Sequence, residues 1–175
     1  MSVRTLIARV RTRGRATIGR GVRLGPRVML EVAPGAVLEI GEGARLDERC
    51  RVHVRAGRVT IGAGARLGES CVVAAHERLE IGARCRLEGE NLVVDFDHVF
   101  GEVDQPVREQ GIETAPVRLG DGAILDRGAC VLRGVTVGAG ARVLPHAVVT
   151  SDVPAGATSG GARSRAVTAA PPVVS

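Results

Sequence analysis

A six-residue repeat runs through most of this chain and constrains its fold more than any other feature. Within blocks of three, an aliphatic residue recurs at intervals of six, and glycine often follows it, as in Ile61-Gly62. These aliphatic positions are Ile18, Leu24, Leu30, Ile40, Leu46, Val52, Ile61, Leu67, Val73, Ile81, Leu87, Val93, Leu119, Leu125, Val131, Val137, Val143 and Val149. Repetition at a short fixed period is the signature of a solenoid.

A second class of mostly small residues follows each aliphatic position by four residues. Its members are Val22, Val28, Ala44, Cys50, Ala56, Ala65, Cys71, Cys85, Ala123, Ala129, Val135, Ala141, Ala147 and Val153. We expect both classes to point inward in a triangular coil of three short strands, with glycine easing the turn at a corner. Stacked coils then pair their strands in parallel.

The repeat therefore predicts an all-β fold, a parallel β-helix with one inserted loop. We expect an N-terminal cap segment at 1–16, the β-helix at 17–155 with the insert at 98–116, and a C-terminal tail at 156–175. The terminal segments are the candidates for capping the open coils, and the run after Val167 is typical of disorder. An α/β fold is disfavoured because no apolar stripe recurs at helical spacing.

Composition excludes several classes of protein. The chain has 175 residues, two phenylalanines and no Trp or Tyr, so aliphatic residues must fill its core. Its four cysteines form no C-x-x-C pair, which disfavours zinc ribbons and thioredoxin-like sites. The net charge of +5 indicates either a solvated arginine-rich surface or attraction to anionic ligands. Nucleic acid binding is disfavoured because there are few aromatic rings to stack bases.

The sequence gives no sign of export or of membrane insertion. The apolar run in the first ten residues is too short for a signal peptide, and no stretch of 18 apolar residues occurs. We therefore predict a cytoplasmic protein without a membrane span.

The repeat breaks between Val93 and Leu119, and this insert carries the candidate catalytic residues. Long loops in tight solenoids are usually functional. Here His98 lies beside Asp95 and Asp97. A histidine can remove the proton of an acceptor hydroxyl, and a carboxylate can hold the imidazole tautomer. We favour Asp95 for that second role because Asp97 occupies the small inward slot of its block.

The repeat and the insert together resemble the hexapeptide-repeat acyltransferases, which are left-handed parallel β-helices. The resemblance covers residues 17–154 and is greatest to the maltose/galactoside O-acetyltransferase branch, including relatives from surface-polysaccharide gene sets. The matching motifs are D-x-D-H at 95–98, V-R-x-Q-G-I at 107–112, Pro116-Val117 and V-T-x-D-V-P at 149–154. It implies O-acetyl transfer from acetyl-CoA to a sugar hydroxyl, with His98 as the base, in a homotrimer.

The resemblance also implies where the two substrates bind. The residues it implies for the donor are Arg127, Pro145, Thr150, Ser151 and Arg165, and those for the acceptor are Ser70, His76 and Glu77. No metal is expected, because the related zinc β-helices need two histidines close in sequence, and the histidines here are His53, His76, His98 and His146.

Several positions depart from the family pattern on the donor side. Ile124 replaces a usual tryptophan and Asp126 a usual glycine. Pro145 and His146 replace small residues, and proline has no N–H to offer to pantetheine. The alternative hypothesis is therefore a non-catalytic trimeric scaffold that has lost its donor site.

Overall fold

A computed structural model describes residues 9–99, 101, 103–104, 106, 109–161 and 165–167. The predictions for residues 1–8, for Val107 and Arg108 and for the tail after Val167 lie outside these described residues. Within them, no helix is long and apolar enough to cross a membrane.

Three parallel sheets build the β-helix, which confirms the predicted all-β solenoid. Sheet A contains β1 (Arg9–Thr12), β4 (Met29–Val32), β7 (Arg51–Val54), β10 (Val72–Ala75), β13 (Leu92–Val94), β18 (Cys130–Val131) and β21 (Val148–Val149). Sheet B contains β2 (Arg15–Ile18), β5 (Val37–Ile40), β8 (Arg58–Ile61), β11 (Arg78–Ile81), β16 (Val117–Leu119) and β19 (Thr136–Val137).

Sheet C forms the third side. It contains β3 (Arg23–Leu24), β6 (Arg45–Leu46), β9 (Arg66–Leu67), β12 (Arg86–Leu87), β17 (Ile124–Leu125), β20 (Arg142–Val143), β22 (Thr158–Gly160) and β23 (Arg165–Val167). The chain visits sheets A, B and C in turn, so each coil has an AB, a BC and a CA corner.

The interior is a column of aliphatic and small side chains. Leu46, Leu67 and Val73 are fully buried, as are the inward thiols of Cys50 and Cys85. In the first coils the strands of sheets A and B have four residues and point two of them inward. Positions such as Val54 and Val59, which the repeat did not identify, are therefore core residues.

Two of the residues that were predicted to fill the interior are not buried. Ala56 is exposed, because it lies in the AB corner between β7 and β8, where Val54 and Val59 fill the interior. Ile18 has the inward register of the buried Ile40 but is 45% exposed, because β2 is the edge strand of sheet B and no coil covers it among the described residues.

The solenoid extends beyond both predicted boundaries. At its start, β1 pairs in parallel with β4 from Arg9 onward, although residues 1–16 were expected to form a cap segment. At its end, β22 continues sheet C past residue 155. β23 then pairs antiparallel with β22 and covers the edge of sheet C, as a capping tail should.

Glycine after the aliphatic residue is required by close stacking. Gly62 does not need a left-handed backbone, but a Cβ there would overlap the backbone of Ala83 in the next coil. A left-handed residue occurs two positions later, at Gly64 with φ 66°, where the BC corner turns. The two glycines of Ile61-Gly-Ala-Gly therefore serve different purposes.

Buried thiols give the first test of this core. Burial raises the pKa of the Cys85 thiol, so less of the reactive thiolate forms at mildly alkaline pH. Cys130 is half-buried on the outer side of sheet A. We expect a Cys130→Ser variant to show no reaction with a disulfide reagent at pH 8 until denaturant unfolds it. Rapid labelling of the native variant would contradict the inward placement.

Candidate functional site

A β-hairpin projects from the AB corner at the break in the repeat. β14 (Phe96–His98) pairs antiparallel with β15 (Ile112–Thr114), and His98 lies opposite Ile112. The hairpin leaves sheet A after β13 and returns to sheet B at β16. It begins at Phe96, two residues before the predicted insert.

The Asp95 carboxylate anchors the base of this hairpin. It is fully buried. Its Oδ1 accepts a hydrogen bond from the backbone N–H of His76, and its Oδ2 accepts from Glu77 and Arg78, each at 2.8 Å. In the preceding coil, the equivalent N–H groups donate to backbone carbonyls of the following coil, as in the bond from Arg55 to the carbonyl of Ala75. Asp95 therefore replaces the backbone acceptors that are lost where the chain leaves the solenoid.

The reason for favouring Asp95 over Asp97 was wrong. Asp97 does not face inward but is exposed, because the hairpin ends the six-residue register before this position. Its Oδ1 accepts from the backbone N–H of His98 at 2.8 Å. Among the described residues, no hydrogen bond joins Asp95 to His98, so a catalytic role for Asp95 stays a prediction.

The aromatic rings of His76, Phe96 and His98 pack together beside the Asp95 carboxylate. The ring of Phe96 lies 4.5 Å from the His76 ring at an interplanar angle of 60°, and 6.1 Å from the His98 ring at 87°. Both distances and angles are those of edge-to-face packing. The structure thus brings together His76 and His98, which are 22 positions apart in sequence. Sequence reasoning missed Phe96, although it is one of two phenylalanines in the chain.

Other residues that were predicted to bind the acceptor or the acyl donor also lie at the AB corner. Glu77 is exposed beside His76, and Thr150 and Ser151 are exposed at the same corner after β21. An ion pair of 2.6 Å between Arg133 and Glu113 ties the hairpin to the coil above.

Other predicted residues lie at the CA corner instead. Ser70 precedes β10 and accepts a hydrogen bond from Arg49 at 3.1 Å, whereas His76 follows β10. Six residues of extended chain span about 20 Å, so Ser70 does not lie with His76 in one subunit. Arg127 pairs with Glu90 at 2.7 Å in the same CA corner. Arg165 begins β23, where its backbone pairs with Gly160.

Pro145 is explained by the turn that it occupies. Ala147 donates its backbone N–H to the carbonyl of Leu144 at 3.2 Å, which places Pro145 second in a four-residue turn. Proline suits that position, and the third residue, His146, has φ 57°. The imidazole of His146 packs over Gly128, where a Cβ would overlap it. Position 146 therefore has a packing role.

Asp126, the other departure on the donor side, is a buried carboxylate with a strong partner. It accepts two hydrogen bonds from Arg142, at 3.0 and 3.2 Å. These bonds raise the pKa of the Arg142 guanidinium. In the described part of the chain, no three His, Cys, Asp or Glu side chains converge as a metal site.

The anchoring role of Asp95 is open to a direct test. Asp95→Ala leaves three backbone donors without their charged acceptor, so we expect a loss of about 2–4 kcal/mol in the free energy of unfolding. Denaturant titration measures it. Asp97→Ala is the matched control, because its carboxylate is exposed, and it should change stability little. Equal stability of the two variants would contradict this role.

Comparison with known proteins adds sequence similarity to the fold. No protein-family model matches the chain. A probable acetyltransferase of Mycobacterium tuberculosis is 30% identical over 156 residues, which cover 89% of this chain and 50% of that protein. The chain thus spans about half the length of this relative.

Solved structures share the β-helix. AntD, an N-acyltransferase from Bacillus cereus solved with dTDP and 3-hydroxybutyryl-CoA, aligns with a TM-score of 0.66 and 18% identity, covering 85% of this chain and 83% of AntD. A maltose O-acetyltransferase from Clostridium difficile aligns with a TM-score of 0.55 and 19% identity, covering 86% of this chain and 67% of that one. At such identities the likeness concerns the fold. Together with the repeat and the mycobacterial relative, it makes this chain similar to the hexapeptide-repeat acyltransferases.

Proposed function

We propose that this protein is a CoA-dependent O-acyltransferase that moves an acetyl group from acetyl-CoA to a sugar hydroxyl. The observation that carries the proposal is the hairpin that interrupts the solenoid and presents His98 beside His76 and Phe96. The names of the similar proteins support it, since they include acetyltransferases, an enzyme acting on maltose and an enzyme bound to an acyl-CoA.

His98 acts as the general base in this mechanism. Its imidazole takes the proton of the acceptor hydroxyl while the oxygen attacks the thioester carbonyl. The tetrahedral intermediate then expels the CoA thiolate, which receives the proton from the imidazolium. The products are the sugar ester and free CoA, and no acyl group is attached to the enzyme.

The surrounding residues hold His98 and the acceptor. Phe96 packs against the imidazole, and Asp95 fixes the base of the hairpin. The half-buried rings of Phe96 and His76 give an apolar surface on which a sugar ring can pack, with exposed Glu77 able to accept from its hydroxyls. These contacts orient the acceptor oxygen toward the base.

Sheet A is the proposed contact between subunits of a homotrimer. Its outer side is apolar in the upper coils, where Val72, Ala74, Leu92, Val94 and Val148 are half-buried, whereas sheet B presents ion pairs such as Arg58 with Glu39. Sheet A runs between the CA and AB corners. A neighbour packed along it would bring donor residues such as Arg127 and Pro145 toward His98 of another subunit.

The subunit contact predicts the effect of a charge on sheet A. We expect Leu92→Glu to shift the protein from trimer to monomer in light scattering, because a carboxylate would be buried without a partner. Thr60→Glu, on the outer side of sheet B, is the control and should remain trimeric. A trimer that survives Leu92→Glu would exclude this face.

Donor binding separates the enzyme from the scaffold alternative, which the altered corner at Pro145 favours. We expect the purified chain to bind acetyl-CoA in calorimetry, with Arg127→Ala weakening binding. Pro145→Ala restores a backbone N–H. Tighter binding of acetyl-CoA by this variant would show that the natural site lacks this hydrogen-bond donor. No binding at millimolar acetyl-CoA would support the scaffold.

The base is tested by turnover against a panel of sugars. We expect His98→Ala to lower kcat by about 10²- to 10⁴-fold with little change in the Kd of acetyl-CoA. His53→Ala, whose imidazole instead lies 3.0 Å from Glu31 on sheet A, should keep full activity. Undiminished turnover by His98→Ala would remove His98 from the mechanism, and turnover of amino sugars alone would make the enzyme an N-acyltransferase.

A further inference from the structure

A column of arginines runs along the outer side of sheet C. The members occupy the same position in four consecutive coils and are all exposed: Arg23, Arg45, Arg66 and Arg86. Neighbouring strands lie about 4.8 Å apart, so the column places one guanidinium group per coil along a straight line.

These arginines alternate in their pairing. Arg45 forms an ion pair with Asp47 at 2.6 Å, two residues further along the chain, and Arg86 pairs with Glu88 in the same way. Arg23 and Arg66 have Gly25 and Gly68 at that position instead. Within the part of the chain that the structure describes, neither has a carboxylate partner. Unpaired positive charge therefore recurs at every second coil, about 10 Å apart.

A groove runs beside the column toward the CA corner. It encloses about 700 Å³, and Arg66, Arg86 and Arg127 contribute to its walls. The acidic residues that also line it are Asp47, Glu69 and Glu88, and each is paired with an arginine. Among the described residues that line this groove, Arg66 is thus the cation that is available to a ligand.

We propose that sheet C binds a linear anionic polysaccharide, with carboxylates of its sugars on Arg23 and Arg66. A guanidinium group can bind a carboxylate through two parallel hydrogen bonds. An extended sugar residue is about as long as the spacing between coils, so a polymer charged on alternate sugars matches the alternating free arginines. Single-stranded nucleic acid fits less well, because no described aromatic ring on sheet C could stack a base.

This surface is distinct from the proposed catalytic site. In a triangular coil, the AB corner that carries His98 lies opposite sheet C. The polymer is therefore held away from the reacting hydroxyl of the same subunit, and binding does not depend on acyl transfer.

The test measures binding of hyaluronan oligosaccharides, which carry a carboxylate on every second sugar, to the full chain at low salt. We expect the double variant Arg23→Ala, Arg66→Ala to raise the Kd at least about tenfold. The matched control is Arg15→Ala, Arg55→Ala, which removes two exposed arginines without described ion-pair partners from sheet B and the AB corner. It should raise the Kd less than about threefold, because it changes the net charge equally but leaves the column intact.

Each alternative outcome is decisive. Equal weakening by the two double variants would show that net charge, not the column, attracts the polymer, and would overturn the proposal. The proposal is also overturned if the wild-type chain does not bind the oligosaccharides, or if single-stranded DNA of the same charge binds equally well. His98→Ala should bind the polymer normally, so failure of the proposed catalysis and failure of this site are distinguishable.

Discussion

Parallel pairing of each coil with the next is the interaction on which the rest of this structure depends. Backbone N–H groups and carbonyls of adjacent coils pair along all three sheets and at the corners. The Gly62 N–H donates to the Ile81 carbonyl of the following coil at 2.7 Å, whereas the Gly64 N–H donates to the Glu42 carbonyl of the preceding coil at 2.8 Å. This spacing leaves no room for a Cβ at Gly62. It also stacks inward aliphatic side chains directly above one another, so the core needs no aromatic residue.

The candidate site arises where this pairing is interrupted. At the AB corner the chain leaves the solenoid, and backbone donors around His76 would lose their acceptors. The buried Asp95 carboxylate takes their hydrogen bonds, so the corner stays ordered although the backbone has departed. The same turn starts the hairpin and sets Phe96 between His76 and His98. Residues 95–98 thus both satisfy the backbone donors that lost their acceptors and place the proposed base.

The three outer faces differ in chemistry although the backbone repeats. Sheet A is apolar in its upper coils, sheet B carries ion pairs, and sheet C carries the arginine column. Inward positions are restricted by packing, whereas outward positions are free to vary. This division would allow one rigid scaffold to provide the proposed subunit contact, the proposed catalytic corner and the proposed polymer-binding surface.

The sequence alone determined the solenoid, most of its inward residues and the position of the insert to within two residues, because a six-residue period is a local property. It also indicated His98 through the motif around it. Other properties depend on which corner a residue reaches, and that depends on strand lengths that vary from coil to coil. The tertiary structure therefore decided that Ala56 is exposed and that Ser70 lies far from His76. It also decided that Asp95 anchors the base of the hairpin. The backbone N–H groups that Asp95 satisfies belong to the preceding coil, and only the stacking of the coils brings them to its carboxylate.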